Sequence, residues 1–213
     1  MTMMAFRMKR LQVFLDDPLS AVHNMQRDSD LFADAEKGDQ QTTLRFYDWD
    51  VRSLTYGHNQ KEDVVSRYMK DHDFPSDMPC VRRPTGGGIV IHEPGGITYS
   101  LVVPLVHLVN HSLLAVYQEW SRQLCECLCA AGLSCSLQKQ GRQVFREKRI
   151  APVCTEFPAK YELVSDGEKI VGSAQKKGKN ALLSQTQFFV RLEQRDETRK
   201  RIAEMFRTTL YSE

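Results

Sequence analysis

Long apolar runs are missing from this 213-residue sequence: none approaches the roughly 20 residues that a membrane-spanning helix needs. A surplus of one charge is missing too, since 29 Lys and Arg stand against 27 Asp and Glu for a net +2. That balance gives no broad field for nucleic acid phosphates, so any basic site must be local, and neither nucleic acid nor membrane is expected as a partner. Repeats, low-complexity tracts and Pro- or Ser-rich linkers are also lacking. The chain therefore reads as one domain over residues 1–213, long enough to bury roughly 70% of its unfolded surface without a disulfide or metal staple.

Cys80, Cys125, Cys127, Cys129, Cys135 and Cys154 contain no Cys-x-x-Cys pair with a matching second half, which excludes a zinc ribbon and a thioredoxin-type motif. Cys125, Cys127 and Cys129 fall in a helical pattern whose alternate residues diverge. They read as core or half-exposed thiols that do not share an ion, and no metal site is expected. Met1–Arg10 has basic residues after its apolar ones and no apolar stretch behind them, unlike a secretory leader. A reduced, cytoplasmic protein is the expectation.

What is present is a sequence of short elements. Pro18–Glu36 carries Leu19, Val22, Met25, Leu31 and Phe32 among polar residues, an amphipathic helix with Pro18 in its first turn and a break at Gly38. Leu44–Trp49 and Ser53–Tyr56 read as strands, and Glu62–Lys70 as a short helix. Cys80–Pro104 reads as antiparallel sheet around glycine corners. Ser112 caps a long core helix with Leu113, Tyr117, Trp120, Leu124, Cys127 or Leu128, and Ala131 on one face, ended by Gly132. Ser165-Asp166-Gly167 marks a hairpin, Leu182–Leu192 a strand and Glu197–Leu210 a closing helix. Strand pairs interleaved with helices predict an α+β fold with a mixed, largely antiparallel sheet flanked by helices.

Three segments could carry chemistry. In Arg82-Arg83-Pro84-Thr85-Gly86-Gly87-Gly88-Ile89-Val90-Ile91-His92, consecutive glycines cost backbone entropy unless a turn or a close approach requires them. Their N–H groups could face ligand oxygens, with Arg82 and Arg83 supplying local charge. A flexible turn with solvated arginines reads equally well, and His92 on its apolar strand suits packing better than proton transfer. In Lys169-Ile170-Val171-Gly172-Ser173-Ala174-Gln175, an ammonium stands beside small residues that would let a ligand approach the backbone. The alternative is an exposed lysine before a turn, and the following Lys176, Lys177 and Lys179 suit a solvated run. Cys154 lies in a loop bracketed by Pro152 and Pro158, where a neighbouring cation such as Lys169 could make its thiol a nucleophile; a structural thiol is the alternative.

Taken in order, these segments resemble the superfamily of lipoate–protein ligases, octanoyltransferases and biotin ligases, from Pro18 through Leu44–Trp49 to about Leu192. Arg82–His92 is similar to that family's acyl-binding loop and Lys169–Gln175 to its active-site lysine motif. The resemblance implies a fold like the catalytic domain of class II aminoacyl-tRNA and biotin synthetases; the accessory C-terminal domain that its ligases usually need is not expected in a chain of this length. It also implies transfer of a lipoyl or octanoyl group to the lysine of a lipoyl domain, in a 2-oxoacid dehydrogenase complex or the glycine cleavage H protein. Catalysis would fall to Lys169 and Cys154. Substrate binding would fall to Arg82, Arg83, Gly86, Gly87, Gly88, His92, Gly172, Ser173 and Ala174.

The donor divides the family. Cys154–Leu163 and Gly172–Gln175 look like the cysteine-dependent transferases, which take octanoate from acyl carrier protein without ATP. Gly88, where those enzymes tend to have arginine, is closer to the ATP- and magnesium-dependent ligases, in which Lys169 would face a lipoyl-adenylate and Cys154 would be a bystander. Ser184-Gln185-Thr186-Gln187 departs from the Gln-His-Gly common after the lysine motif in both branches, so a protein that binds a lipoyl domain or acyl group without turnover is a third alternative.

Overall fold

The computed structural model describes residues 11–108, 112–139, 160–190 and 192–211. Within them the chain order is β1 (Leu11–Leu15), α1 (Ala21–Glu36), β2 (Thr42–Tyr47), β3 (Ser53–Tyr56), α2 (Glu62–Asp71), β4 (Cys80–Arg82), β5 (Val90–His92) and β6 (Thr98–Pro104). There follow α3 (Leu113–Ala130), β7 (Ser136–Leu137), β8 (Leu163–Ser165), β9 (Glu168–Lys177), β10 (Ala181–Phe188) and α4 (Arg195–Tyr211). Seven strands form one sheet in the order β1-β2-β6-β10-β9-β8-β7, parallel at β1/β2 and antiparallel elsewhere. The mixed, mainly antiparallel α+β architecture is the expected one.

One expectation is corrected. Cys80–Pro104 is not a single antiparallel sheet: β4 and β5 flank β3 in a separate three-stranded sheet, β4 parallel to it and β5 antiparallel, while β6 lies in the large sheet. The glycine stretch therefore carries the chain over β3 rather than reversing it in a hairpin.

Alternation along the central strands sorts residues between the faces of the large sheet. Tyr99, Leu101 and Val103 of β6 and Leu182 of β10 pack with Trp120, Leu124 and Leu128 of α3 and Ile202 and Phe206 of α4. On the other face, Val102 and Leu183 meet Phe32 and Ala35 of α1. Leu54, Tyr56, Val65, Met78 and Ile89 make a smaller core where α2 covers the small sheet.

Local chemistry sets the helix ends. Ser20, not Pro18, opens α1: its hydroxyl accepts from the His23 N–H at 3.4 Å, and Leu19 ahead of it forms a bridge with Trp49. Val22, expected on the apolar face, is 60% exposed, and Asn24 and Asp28 are buried beside Ala21, Met25, Phe32 and Ala35. Ser112 caps α3 by accepting from the Ala115 N–H at 3.1 Å. Gly132, at φ +89, closes that helix in a Schellman motif, with Leu133 N–H on the Leu128 carbonyl and Gly132 N–H on that of Cys129. The expected Leu113 and Ala131 are exposed and Val116 is buried instead, a shift in helical phase. Asp166 (φ +51) and Gly167 (φ +82) form the type I′ turn that joins β8 to β9. β10 ends at Phe188, short of Leu192, and β1 and β7 are strands the sequence reading left unassigned. No helix among the described residues is long and apolar enough to cross a membrane.

Candidate active site

A pocket of about 440 Å3, open to solvent, lies between the two sheets on the α1 side of the large one. Met25, Tyr47, Trp49, Val90 and Phe189 give it apolar walls, and Gly172, Ser173 and Ala174 of β9 contribute small residues. Arg83, His92, Lys169, Glu162 and Gln185–Gln187 supply its polar groups.

Lys169, second residue of β9, follows the Asp166-Gly167 turn. Its side chain is only 2% exposed, and Nζ donates to Glu162 Oε1 at 2.8 Å, with the Phe189 ring centroid 5.4 Å away. An ammonium so buried needs a compensating carboxylate, because removing one partner of such a pair leaves an uncompensated charge. Gly172 makes room for it: a Cβ there would lie 2.8 Å from Nζ, so the missing side chain lets the lysine fold back over its own strand. Glu162 escaped the sequence reading. Counting back from the Asp-Gly turn, a lone carboxylate beside the Leu163-Val164 strand, within diagonal reach of Lys169, was the available signal.

His92 is buried and stacks on Trp49 with centroids 3.8 Å apart. Burial, with Arg83 nearby and against the hydrogen bond to Gln187, pushes its pKa down to about 3, so the ring is neutral. Nδ1 lies 2.8 Å from Gln187 Oε1 and Nε2 2.8 Å from Thr55 Oγ1. The neutral tautomer consistent with these contacts has Nδ1–H donating to the glutamine oxygen while Nε2 accepts from threonine. Gln187 Oε1 also accepts from Thr98, whose oxygen accepts from Trp49 Nε1. With both ring nitrogens engaged, His92 acts as a wall of the pocket rather than a base.

Of the stretch Ser184–Gln187, read as a departure from pattern, Gln185, Thr186 and Gln187 are built into this wall. Gln185 accepts from Thr85 Oγ1 at 2.7 Å and donates to Asp28 Oδ2 at 2.7 Å, and the Thr186 and Ser173 hydroxyls lie 2.8 Å apart. Asp28 also accepts from Arg45, Tyr47 and Ser100. Burial first, then the Asp28 charge, raises the Tyr47 phenol well above its ordinary value and keeps it a donor.

Other sequence candidates divide by position. Arg83 is buried and donates to the Gly86 carbonyl at 2.7 Å and the Thr55 carbonyl at 3.3 Å, bracing the loop beside the pocket. Arg82, expected to charge the same loop, turns to α2 instead: it donates to the His58 and Gln60 carbonyls and Glu62 and lies over the Tyr56 ring. Successive strand residues point oppositely, so the two arginines could not both face the pocket. Gly86, Gly87 and Gly88 lie outside the residues lining it. Gly87 takes φ +92, which favours glycine, and its carbonyl lies against Gly57, where any Cβ would collide with it, so positive φ accounts for glycine at 87 and close backbone approach for glycine at 57. Cys154 lies outside the described residues.

Residues 20–209 match the family model described as the lipoyl protein ligase A/B catalytic domain. The chain belongs to that family. Within it, octanoyltransferase LipM of Oceanobacillus iheyensis is 33% identical over 180 residues, covering 83% of this chain and 63% of the relative. The chain thus spans a little under two thirds of the length of the curated relatives it first matches. Among solved structures, lipoate-protein ligase A bound with ATP superposes with a TM-score of 0.63 at 22% identity, over 95% of this chain and 85% of that one. The bi-partite lipoate protein ligase of Thermoplasma acidophilum gives 0.60 at 19%, over 93% and 83%. What these two share with the chain is the lipoyl-ligase fold.

Proposed function

We propose that this protein attaches a lipoyl or octanoyl group to the acceptor lysine of lipoyl domains, by transfer from a thioester donor through Cys154. The observation that carries this reading is the buried Lys169 ammonium, held by Glu162 over Gly172 in a pocket with apolar walls. Likeness to octanoyltransferase LipM supports the same reaction class.

In the first step the Cys154 thiolate attacks the carbonyl carbon of an acyl thioester, as on acyl carrier protein. The carrier's C–S bond breaks, and its thiolate leaves and takes a proton. One thioester replaces another at little free-energy change, so ATP is not needed. In the second step the neutral ε-amine of the acceptor lysine adds to the enzyme thioester. Collapse of the oxyanion expels the Cys154 thiolate and leaves an amide, the surplus proton going to solvent. Lys169 supplies positive charge at the oxyanion in a setting of low dielectric, where such a group counts most. The apolar wall from Met25 to Val90 suits the acyl chain, with Arg83 and His92 keeping the wall in shape. The acceptor would be a lipoyl domain of a 2-oxoacid dehydrogenase complex or the glycine cleavage H protein.

The ligase reading draws on the fold shared with lipoate-protein ligase A bound with ATP. Against it, the curated relatives that the chain matches are octanoyltransferases LipM.

Intact mass of enzyme and lipoyl domain distinguishes these, after incubation with octanoyl–acyl carrier protein or with lipoate, ATP and Mg2+. An acyl adduct on the enzyme that is lost in Cys154→Ala, with acceptor acylated and no ATP present, is expected. Acceptor modified only with lipoate and ATP, and equally well by Cys154→Ala, would overturn the transferase in favour of the ligase. Binding of the lipoyl domain with transfer from neither donor would overturn both.

A further inference from the structure

At the C-terminal end of α3, outside the residues that line the pocket, three thiols converge. Cys125 and Cys129 lie four residues apart on one helical face, and Cys135 returns to them after the chain reverses at Gly132. The Cys135 sulfur is 3.4 Å from that of Cys129 and 3.7 Å from that of Cys125, and all three sulfurs lie within 4.8 Å of one another. Cys127 takes no part: it packs against the main core, as expected for alternate helical positions. The metal-free reading of the sequence weighed Cys125, Cys127 and Cys129 alone, and Cys135 is the member it left out.

We propose that Cys125, Cys129 and Cys135 form a binding site for a single thiophilic d10 cation of the Zn2+ class. The spacing fits: sulfurs bound tetrahedrally at about 2.3 Å from Zn2+ lie about 3.8 Å apart. Three converging sulfurs suit a shared ion better than a disulfide, which consumes two and leaves the third unused. The site is also preformed, because the Schellman turn through Gly132 and Leu133, not the thiols, dictates where Cys135 lies. Its position adds a reason for a cation. Thiolates at a helix C-terminus face the negative end of the macrodipole, and a bound cation offsets that repulsion. Binding releases thiol protons to solvent as S–metal bonds form. Cys129 is exposed, which leaves water access to a fourth coordination position.

The site would be structural. It ties the turn at 131–135 to α3 immediately before β7, which pairs with β8 at the edge of the large sheet. It does not depend on the acyl-transfer reading.

The full-length protein, reduced and stripped with chelator, is titrated with Zn2+ against a chromophoric chelator, and with Cd2+ while thiolate-to-metal charge-transfer absorbance is followed. One equivalent of each ion is expected to bind the wild type, with the absorbance of three thiolates. Cys125→Ser, Cys129→Ser and Cys135→Ser should each weaken binding at least about tenfold, while Cys127→Ser and Cys80→Ser bind as the wild type does. Because a serine variant could fail to fold, thermal unfolding of the wild type with and without Zn2+ is a second readout. At about 100 times the dissociation constant, Tm should rise by about 5–10 °C. The proposal is overturned by no tight equivalent in the wild type, by binding that survives Cys135→Ser, by loss of binding in Cys127→Ser, or by a Tm indifferent to Zn2+.

Discussion

The two faces of the seven-stranded sheet use the same strands for different ends. On β6, Tyr99, Leu101 and Val103 point to α3 and α4 and are buried in apolar contact, while Thr98 and Ser100, one residue out of step, hydrogen-bond to Gln187 and Asp28 on the opposite side. On β10, Leu182 joins the apolar core, whereas Gln185 and Gln187 point to the pocket. A two-residue period lets one strand stabilise the fold with one set of side chains and shape a polar site with the other. Changes on the apolar face should therefore cost stability, and changes on the pocket face should cost activity or pH tolerance.

The largest effect tests the apolar face. Phe206 is fully buried, edge-on to both Tyr99 and Trp120. Phe206→Ala should lower unfolding free energy by about 3–5 kcal/mol in a urea titration, while kcat/KM of the folded fraction stays unchanged. A smaller loss would mean that this face is less tightly packed than its geometry implies.

On the pocket face, Lys169→Ala should reduce acyl transfer by about 10²–10³-fold, measured by acceptor mass in single-turnover assays. It also removes the ammonium that donates to the buried Glu162 carboxylate, so stability should fall as well. Adding Glu162→Ala should restore stability without restoring transfer, and recovery of both would break the division between the faces.

Gln185→Leu removes the acceptor of the buried Thr85 hydroxyl and one donor to Asp28. A loss of about 1–3 kcal/mol is expected, partly recovered in the double variant with Thr85→Val, in which neither polar group needs its partner.

The smallest effect concerns pH. His92 titrates near 3 when folded and near 6.5 when unfolded, so between these values the unfolded chain binds the extra proton. Its contribution to stability is complete above pH 6.5 and is lost as pH falls toward 3. Between pH 6.5 and 5.5 the wild type should lose about 1 kcal/mol more than His92→Gln, by urea titration at each pH. Equal losses would mean that His92 is not buried neutral.

Local signals were legible wherever a short-range rule decides the outcome. Ser112 and Gly132 bound α3 as expected, Asp166-Gly167 makes the hairpin, and the lysine motif on β9 lies in the pocket with Gly172, Ser173 and Ala174. What could not be read rests on side chains distant in sequence. Nothing near β3 says that it will take both β4 and β5 as neighbours, and strand choice is settled by burial across the whole sheet. Asn24 and Asp28 broke the apolar pattern of α1 because Arg45 and Gln185, 21 and 157 residues away, are their partners. Gln185 and Gln187 looked like a departure for the same reason, since their use depends on Thr85 and His92 lying opposite.

By itself the sequence determined the order and type of most elements and the caps and turns that end them, because periodicity, capping and positive-φ glycines act within a few residues. Tertiary structure alone decided that Arg82 leaves the pocket while Arg83 stays, that Glu162 holds Lys169, and that Cys135 joins Cys125 and Cys129. Each of these depends on the direction of a side chain in three dimensions, fixed by strand register or by a helix-ending turn and then held by charge or hydrogen-bond complementarity.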